Sequence, residues 1–153
     1  MNTIKLSVPI LFILVIYTHS IAQEIQLKSP NNKIVVKIEN AGKLTYSVTF
    51  NNRIIIDSSP LGFEFKNEAP LNGNLNIIDQ FEKAINESWK PVVKSKHAEV
   101  KDIYNYLIMR LKEKDGQLRE MGMSIRVYDD GVAFRYKLYR PEKIGQREIT
   151  REL

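Results

Sequence analysis

The chain has 153 residues, of which 27% are charged and 43% hydrophobic, with no cysteine and a formal charge of +5. This is the composition of one globular domain, not of a disordered chain, and without cysteine a disulfide framework is excluded, so stability must come from an apolar core. The basic residues are scattered among acidic ones, with no long run and no aromatic residues interleaved along the sequence, which gives no support to nucleic-acid binding.

Met1 to Ala22 stands apart. Lys5 follows the amino terminus, Leu6 to Tyr17 is a short apolar run, and Ser20-Ile21-Ala22 offers small residues before a cleavage point. This is the form of a secretory signal peptide. The run is shorter than the roughly 20 residues of a spanning helix, and it contains Pro9. Cleavage is expected between Ala22 and Gln23. The product is a secreted or periplasmic domain of residues 23–153, not bound to the membrane, whose formal charge falls from +5 to +4 with the loss of Lys5.

From Gln23 onward the sequence alternates. Ile25 and Leu27 form a short strand, Pro30-Asn31-Asn32 a turn, and Lys33 to Glu39 a β-branched strand that Asn40-Ala41-Gly42 interrupts. Leu44, Tyr46, Val48 and Phe50 share one face of the next strand, Asn51-Asn52 makes a tight turn, and Arg53 to Ile56 returns antiparallel. Ser59-Pro60-Leu61-Gly62 ends this meander. Leu75 to Ile85 fits a helical stripe or a strand, with the weight toward strand. Trp89, the single tryptophan, precedes Pro91 and is expected to pack in the core or against another domain. Ile103 to Leu111 is apolar on both faces and reads as an interior strand. After the Asp115-Gly116 turn a strand starts near Leu118. Pro141 stops the last predicted strand, and no closing strand is visible between Gly145 and Leu153. Together these patterns predict an all-β, antiparallel β-sandwich.

The clearest local signal is Met123 to Tyr136. Asp130-Gly131 suits a two-residue type I′ turn between alternating strands, which would set Val127 against Phe134, Ile125 against Tyr136 and Arg126 against Arg135. Two opposed arginines repel, so an acidic group is expected over that face. A three-residue loop from Asp129 to Gly131 would pair Arg126 with Phe134 and scramble the apolar face.

The residues do not assemble an active site by themselves. His97 lies in a loop with no second imidazole beside it and reads as solvated. The glycines sit at turns, and Asp129-Asp130 is explained by turn chemistry. No histidine and glutamate are arranged for a mutarotase-type epimerase.

Arg126 to Tyr136, RVYDDGVAFRY, closely resembles the signature of the N-terminal domain of glycoside hydrolase family 97. Ser59-Pro60-Leu61-Gly62, Trp89-Lys90-Pro91, Tyr104-Asn105 and Ile149-Thr150 with Glu152 support the resemblance. The chain departs from the family at Val92-Val93-Lys94 and Asn105-Tyr106, where members commonly carry a Trp-Gly-Glu-like run and an Asn-Glu pair. The resemblance implies a galactose mutarotase-like β-super-sandwich from an exported, calcium-dependent enzyme acting on α-glucosides or α-galactosides. It also implies a following (β/α)₈ barrel that carries the paired carboxylates of glycoside cleavage. No catalytic residue is therefore expected in this chain, which ends before the barrel.

By the same resemblance Glu152 is the residue that would reach a Ca²⁺ site shared with the barrel, in the full-length context only. Calcium takes six to eight oxygen ligands, so this portion alone is not expected to hold the ion tightly. The resemblance also makes Arg126 and Arg135 structural, tied to carboxylates such as Asp129 or Glu152 or to the edge of the barrel. The alternative is a free-standing sandwich that binds carbohydrate through Trp89, Tyr104 and Tyr106 without cleaving it.

Overall fold

A computed structural model describes residues 23–93, 96, 98–139 and 147–153. The proposed signal peptide, His97 and Pro141 lie outside the described residues. Strands β1 (Gln23–Lys28), β2 (Ile34–Ala41), β3 (Lys43–Phe50) and β4 (Arg53–Pro60) form one antiparallel sheet in sequential order. The second sheet runs β10-β9-β8-β7, from β7 (Leu75–Trp89), β8 (Val100–Glu113), β9 (Glu120–Val127) and β10 (Val132–Tyr139). Between them in sequence lie β5 (Phe63–Phe65) and β6 (Glu68–Leu71), which join β11 (Ile149–Glu152) in a small third sheet.

Turn chemistry explains the first meander. Asn51 and Asn52 both adopt positive φ, at 47° and 63°, and so close β3 to β4 with Phe50 opposite Arg53. The turn after β1 is held by Ser29, whose buried hydroxyl accepts the Ile34 N–H at 3.0 Å. Alternation then places Leu27, Val36, Ile38, Leu44 and Val48 inward from the first sheet. Leu107, Met109, Leu111, Met121, Met123, Ile125 and Val127 meet them from the second. Leu61, Phe63, Phe65 and Leu71 extend this core beneath the small sheet. Removing such apolar area from water contributes about 25 cal/mol per Å² and is the main force holding a chain without cross-links.

The two sheets are staggered. β1 packs on β8 and β2 on β9, while Tyr46 of β3 meets Phe134 of β10 at 5.6 Å. β7 consequently overhangs, and its Gln80, Glu82, Ala84, Asn86 and Ser88 are all exposed. Four of the five are polar, which suits that position.

Three expectations are corrected. The hairpin loop has four residues, Tyr128 to Gly131, closed by the Tyr128 N–H donating to the Gly131 carbonyl at 2.8 Å. Val127 therefore pairs with Val132, Ile125 with Phe134, Met123 with Tyr136, and Arg126 with Ala133. Slipping by two residues preserves the inward and outward faces but separates the two arginines, so the four-residue loop keeps the pattern and removes the repulsion. The second correction concerns the carboxyl end, where Ile149 to Glu152 does form a strand, pairing Glu152 with Phe63 and Ile149 with Phe65. Its weak alternation gave no signal because all four residues are exposed on an edge. Third, of the two places expected for Trp89 the core is excluded, since it ends β7 with 54% of its surface exposed and open to another domain.

Gly62, in the Ser59-Pro60-Leu61-Gly62 turn, has φ of +130°, and a Cβ there would lie 2.1 Å from the Leu71 carbonyl oxygen. Only glycine lets β5 and β6 approach this closely.

Candidate binding face

Period-two alternation sends the second residue set of β8, β9 and β10 outward. Tyr106 stands directly opposite Arg126 across β8 and β9. The Arg126 guanidinium lies over the rings of Tyr104 and Tyr106, at 4.8 and 5.6 Å. Tyr128 approaches the Tyr104 ring at 4.9 Å. This cover leaves Tyr104 only 7% exposed although it points away from the core. Burial raises the Tyr104 phenol above its ordinary pKa, while the Arg126 charge opposes the rise. The Arg126 guanidinium is itself pushed up, first by the Tyr128 side chain.

A second arginine on the same face is built differently. Arg110 lies over the Tyr139 ring at 4.9 Å, but its Nε also donates to Glu120 at 2.9 Å. Lys112 reaches the same carboxylate at 3.2 Å. Glu120 is held below the ordinary carboxylate range by Arg110, then by Lys112. Among the described residues neither Arg126 nor Arg135 has a carboxylate partner, which corrects the part of the expectation that ties them to acids such as Asp129 or Glu152 and leaves the edge of a barrel as its other part. Asp129 instead accepts the backbone N–H of Asn31 at 2.8 Å, fixing the hairpin tip to the first sheet. Between the two arginines is a hollow of about 280 Å³, lined by Ser124, Arg126, Tyr128, Ala133, Phe134 and Arg135.

Glu152 does not line this hollow and is exposed on β11 beside Tyr136. Its neighbours in sequence are engaged, with Arg151 bonded to Glu64 at 2.6 Å and Glu148 to Lys66 at 2.9 Å. The Leu153 N–H donates to the Gly62 carbonyl at 3.0 Å, which pins the strand end. Among the described residues no three acidic or imidazole side chains converge to hold a metal. Glu152 offers an accessible carboxylate, the right chemistry for one ligand of a hard cation. Trp89, Tyr104 and Tyr106 share the outer face, but only Trp89 presents a largely open ring there.

One ionic cluster was not anticipated from the sequence. Arg119 is 2% exposed, yet its Nε and N–H groups bind Glu113, with the Nε contact at 2.9 Å, and its Nη1 donates to the Ala69 carbonyl at 2.8 Å. Glu68 lies 3.6 Å from Arg119 and 3.2 Å from Arg147. The latter pair has ion-pair distance without hydrogen-bond alignment. Burial would raise the Glu113 carboxyl, but the Arg119 hydrogen bonds outweigh it and hold the group below the carboxylate range. The available signal was Glu113 and Arg119 flanking the Asp115-Gly116 turn, which folds them onto each other.

These features define an all-β antiparallel sandwich module with a chemically specialised outer face. Residues 27–153 match the family model described as Glycosyl-hydrolase 97 N-terminal, and the chain belongs to that family. It is 26% identical over 132 residues to a retaining alpha-galactosidase of Bacteroides thetaiotaomicron, covering 86% of this chain and 19% of that protein. A family 97 glycoside hydrolase of Pseudoalteromonas sp. strain K8, solved in complex with panose, superposes with a TM-score of 0.76 at 28% identity. The match covers 84% of this chain and 20% of that one. A beta-arabinopyranosidase superposes at 0.71 with 26% identity, covering 85% and 20%. The chain thus spans about a fifth of the length of these relatives.

Proposed function

We propose that this chain is the non-catalytic N-terminal β-sandwich portion of a secreted, calcium-dependent glycoside hydrolase acting on α-glucosides or α-galactosides. It supports a catalytic barrel and, through Glu152, supplies one ligand to a Ca²⁺ site beside the substrate. The observation that carries this reading is the family match over residues 27–153, combined with relatives about five times longer whose names describe glycosidases. Glu152 supports the calcium role by its accessible carboxylate at the end of a strand fixed to β5. Met1 to Ala22, with its charged start and short apolar run, supports export to the periplasm or beyond.

The test is reconstitution. Reading the coding sequence beyond residue 153 and expressing the chain together with any barrel found there should yield calcium-dependent release of sugar from nitrophenyl α-glucoside or α-galactoside. Glu152→Gln should raise the calcium concentration needed for half-maximal activity. A frame that encodes no barrel in any phase, or full calcium response in the Glu152→Gln protein, would remove the respective half of the proposal.

The exposed Trp89 supports a second reading, a free-standing sandwich that binds carbohydrate. Titration with maltooligosaccharides and galactosides should then quench or shift Trp89 fluorescence, and a flat response through millimolar sugar excludes it.

A further inference from the structure

The hollow on the outer face of β9 and β10 has a specific construction. Across the two strands Arg126 pairs with Ala133 and Ser124 with Arg135, so each arginine faces a small residue and the two arginine positions are diagonal to each other. The small partners create the space, and the arginines wall it. The lining contains no carboxylate. Arg110, on the same face, shows what a neutralised arginine looks like in this sheet, since Glu120 occupies its guanidinium. At the Arg126 hollow the neighbouring side chain is the neutral Tyr128, so the guanidinium keeps its full charge.

Arg126 is also set in place before any ligand arrives. The Tyr104 and Tyr106 rings support its planar group, which limits the side-chain freedom to be lost on binding. A guanidinium held in this way presents paired N–H donors that match a carboxylate. At about 280 Å³ the hollow exceeds a bare carboxylate and suits a single ring that carries one. The Ser124 hydroxyl can donate to and accept from ring hydroxyls, and Tyr128 supplies an aromatic wall.

We propose that this hollow is a binding site for a carboxylated sugar, a hexuronate unit, with Arg126 and Arg135 holding the carboxylate and Ser124 and Tyr128 contacting the ring. All six lining residues belong to this chain, so the proposal is tested on the chain by itself, apart from any glycosidase barrel.

The test is an amide and arginine Nε–H nuclear magnetic resonance titration of the full chain. The probes are galacturonate, its methyl ester, galactose, acetate and inorganic phosphate. Galacturonate should shift the Ser124 and Ala133 amides and the Arg126 Nε–H in a saturable way. The ester and galactose should bind at least about tenfold more weakly, because each lacks the charge that the two arginines meet. Arg135→Gln should weaken galacturonate about tenfold while leaving core amide shifts in place, since this side chain is exposed. Arg126→Lys keeps the charge but loses the planar fork, and should weaken binding as well. Raising the ionic strength should weaken binding further. Acetate or phosphate binding as tightly as galacturonate would show a general anion site and overturn the proposal. So would an ester that binds equally well, no saturable shift with any probe, or an Arg135→Gln protein that binds galacturonate normally.

Discussion

Arg119 and Arg126 sit on strands or turns of the same sheet, carry the same charge, and are satisfied in opposite ways. Arg119 is sealed under the small sheet, where Glu113, Glu68 and the Ala69 carbonyl surround it. Arg126 lies on the outer face over two tyrosine rings and has no carboxylate among the described residues. A buried charge is tolerated only when fully paired, so the first arginine is bound to structure. The second is held by two aromatic faces and the Tyr128 side chain, which leaves the guanidinium without a fixed counter-ion and with donors to spare for a ligand. The same side chain therefore acts as a lock in one place and as a receptor in the other.

The comparison is broken most severely at the lock. Arg119→Ala should lower unfolding stability by about 3 kcal/mol, because the partly buried Glu113 would lose its partner and the Ala69 carbonyl its donor, while Glu68 keeps Arg147. Urea unfolding of the variant against the parent measures this, and a loss under about 1 kcal/mol would mean that water replaces the guanidinium. Gly62→Ala should follow, at about 1–3 kcal/mol from backbone strain with a further loss from its contact on the Leu71 carbonyl. It acts on β5 and β6, the same roof that covers Arg119. Normal stability of this variant would show that the two strands can separate without consequence.

pH separates the contributions next. The folded Glu113 carboxyl lies below its ordinary value of 4.5. Its ion pair therefore stabilises the fold above the unfolded pKa, and this contribution disappears as pH falls through the lower folded pKa. Stability measured downward from pH 5 should decline less steeply in Glu113→Gln, which starts from a lower value. At the alkaline end, burial pushes the Tyr136 phenol up to about 12, although the Gly62 N–H that donates to its oxygen at 3.2 Å works against the rise. A proton held more tightly in the folded state stabilises it fully below the unfolded pKa near 10, and that stabilisation is lost as pH rises through about 12. Tyr136→Phe should remove this alkaline step from the stability profile. It should also reduce stability near neutrality by about 0.5–1.5 kcal/mol through the hydrogen bond to Gly62.

The smallest expected change in stability is at the receptor. Arg135→Gln should alter unfolding by no more than about 0.5 kcal/mol, as an exposed substitution away from the core does. A larger loss in a denaturant titration would make Arg135 part of the lock, and the distinction between the two arginine environments would fail on the outer face.

Much of the sandwich was legible from local chemistry. Alternation identified the first meander and the β8 to β10 region, and the Asn51-Asn52 turn came out in its simplest register because two residues tolerant of positive φ leave the chain little choice. Asp130-Gly131 is equally suited to a tight turn, yet the loop takes four residues. The preference of the dipeptide competes there with the Arg126 and Arg135 repulsion and with the Asp129 bond to Asn31, which comes from the other sheet. β11 escaped notice because an exposed edge strand is selected by its partner β5 and not by its own pattern. Trp89 was expected in the core or against another domain, and the stagger of the sheets rules out the core by leaving the end of β7 uncovered.

The amino-acid order by itself determined the all-β class, most strand positions and the family, since period-two alternation, turn residues and a contiguous signature are all local properties of the chain. Which charges meet was decided only by tertiary structure. Arginines and tyrosines separated by twenty or more positions look scattered in sequence, and the pairing of β8, β9 and β10 gathers them on one face. Cross-strand register acts over long sequence separations, and a slip of two residues leaves the hydrophobic pattern unchanged while replacing every outward neighbour.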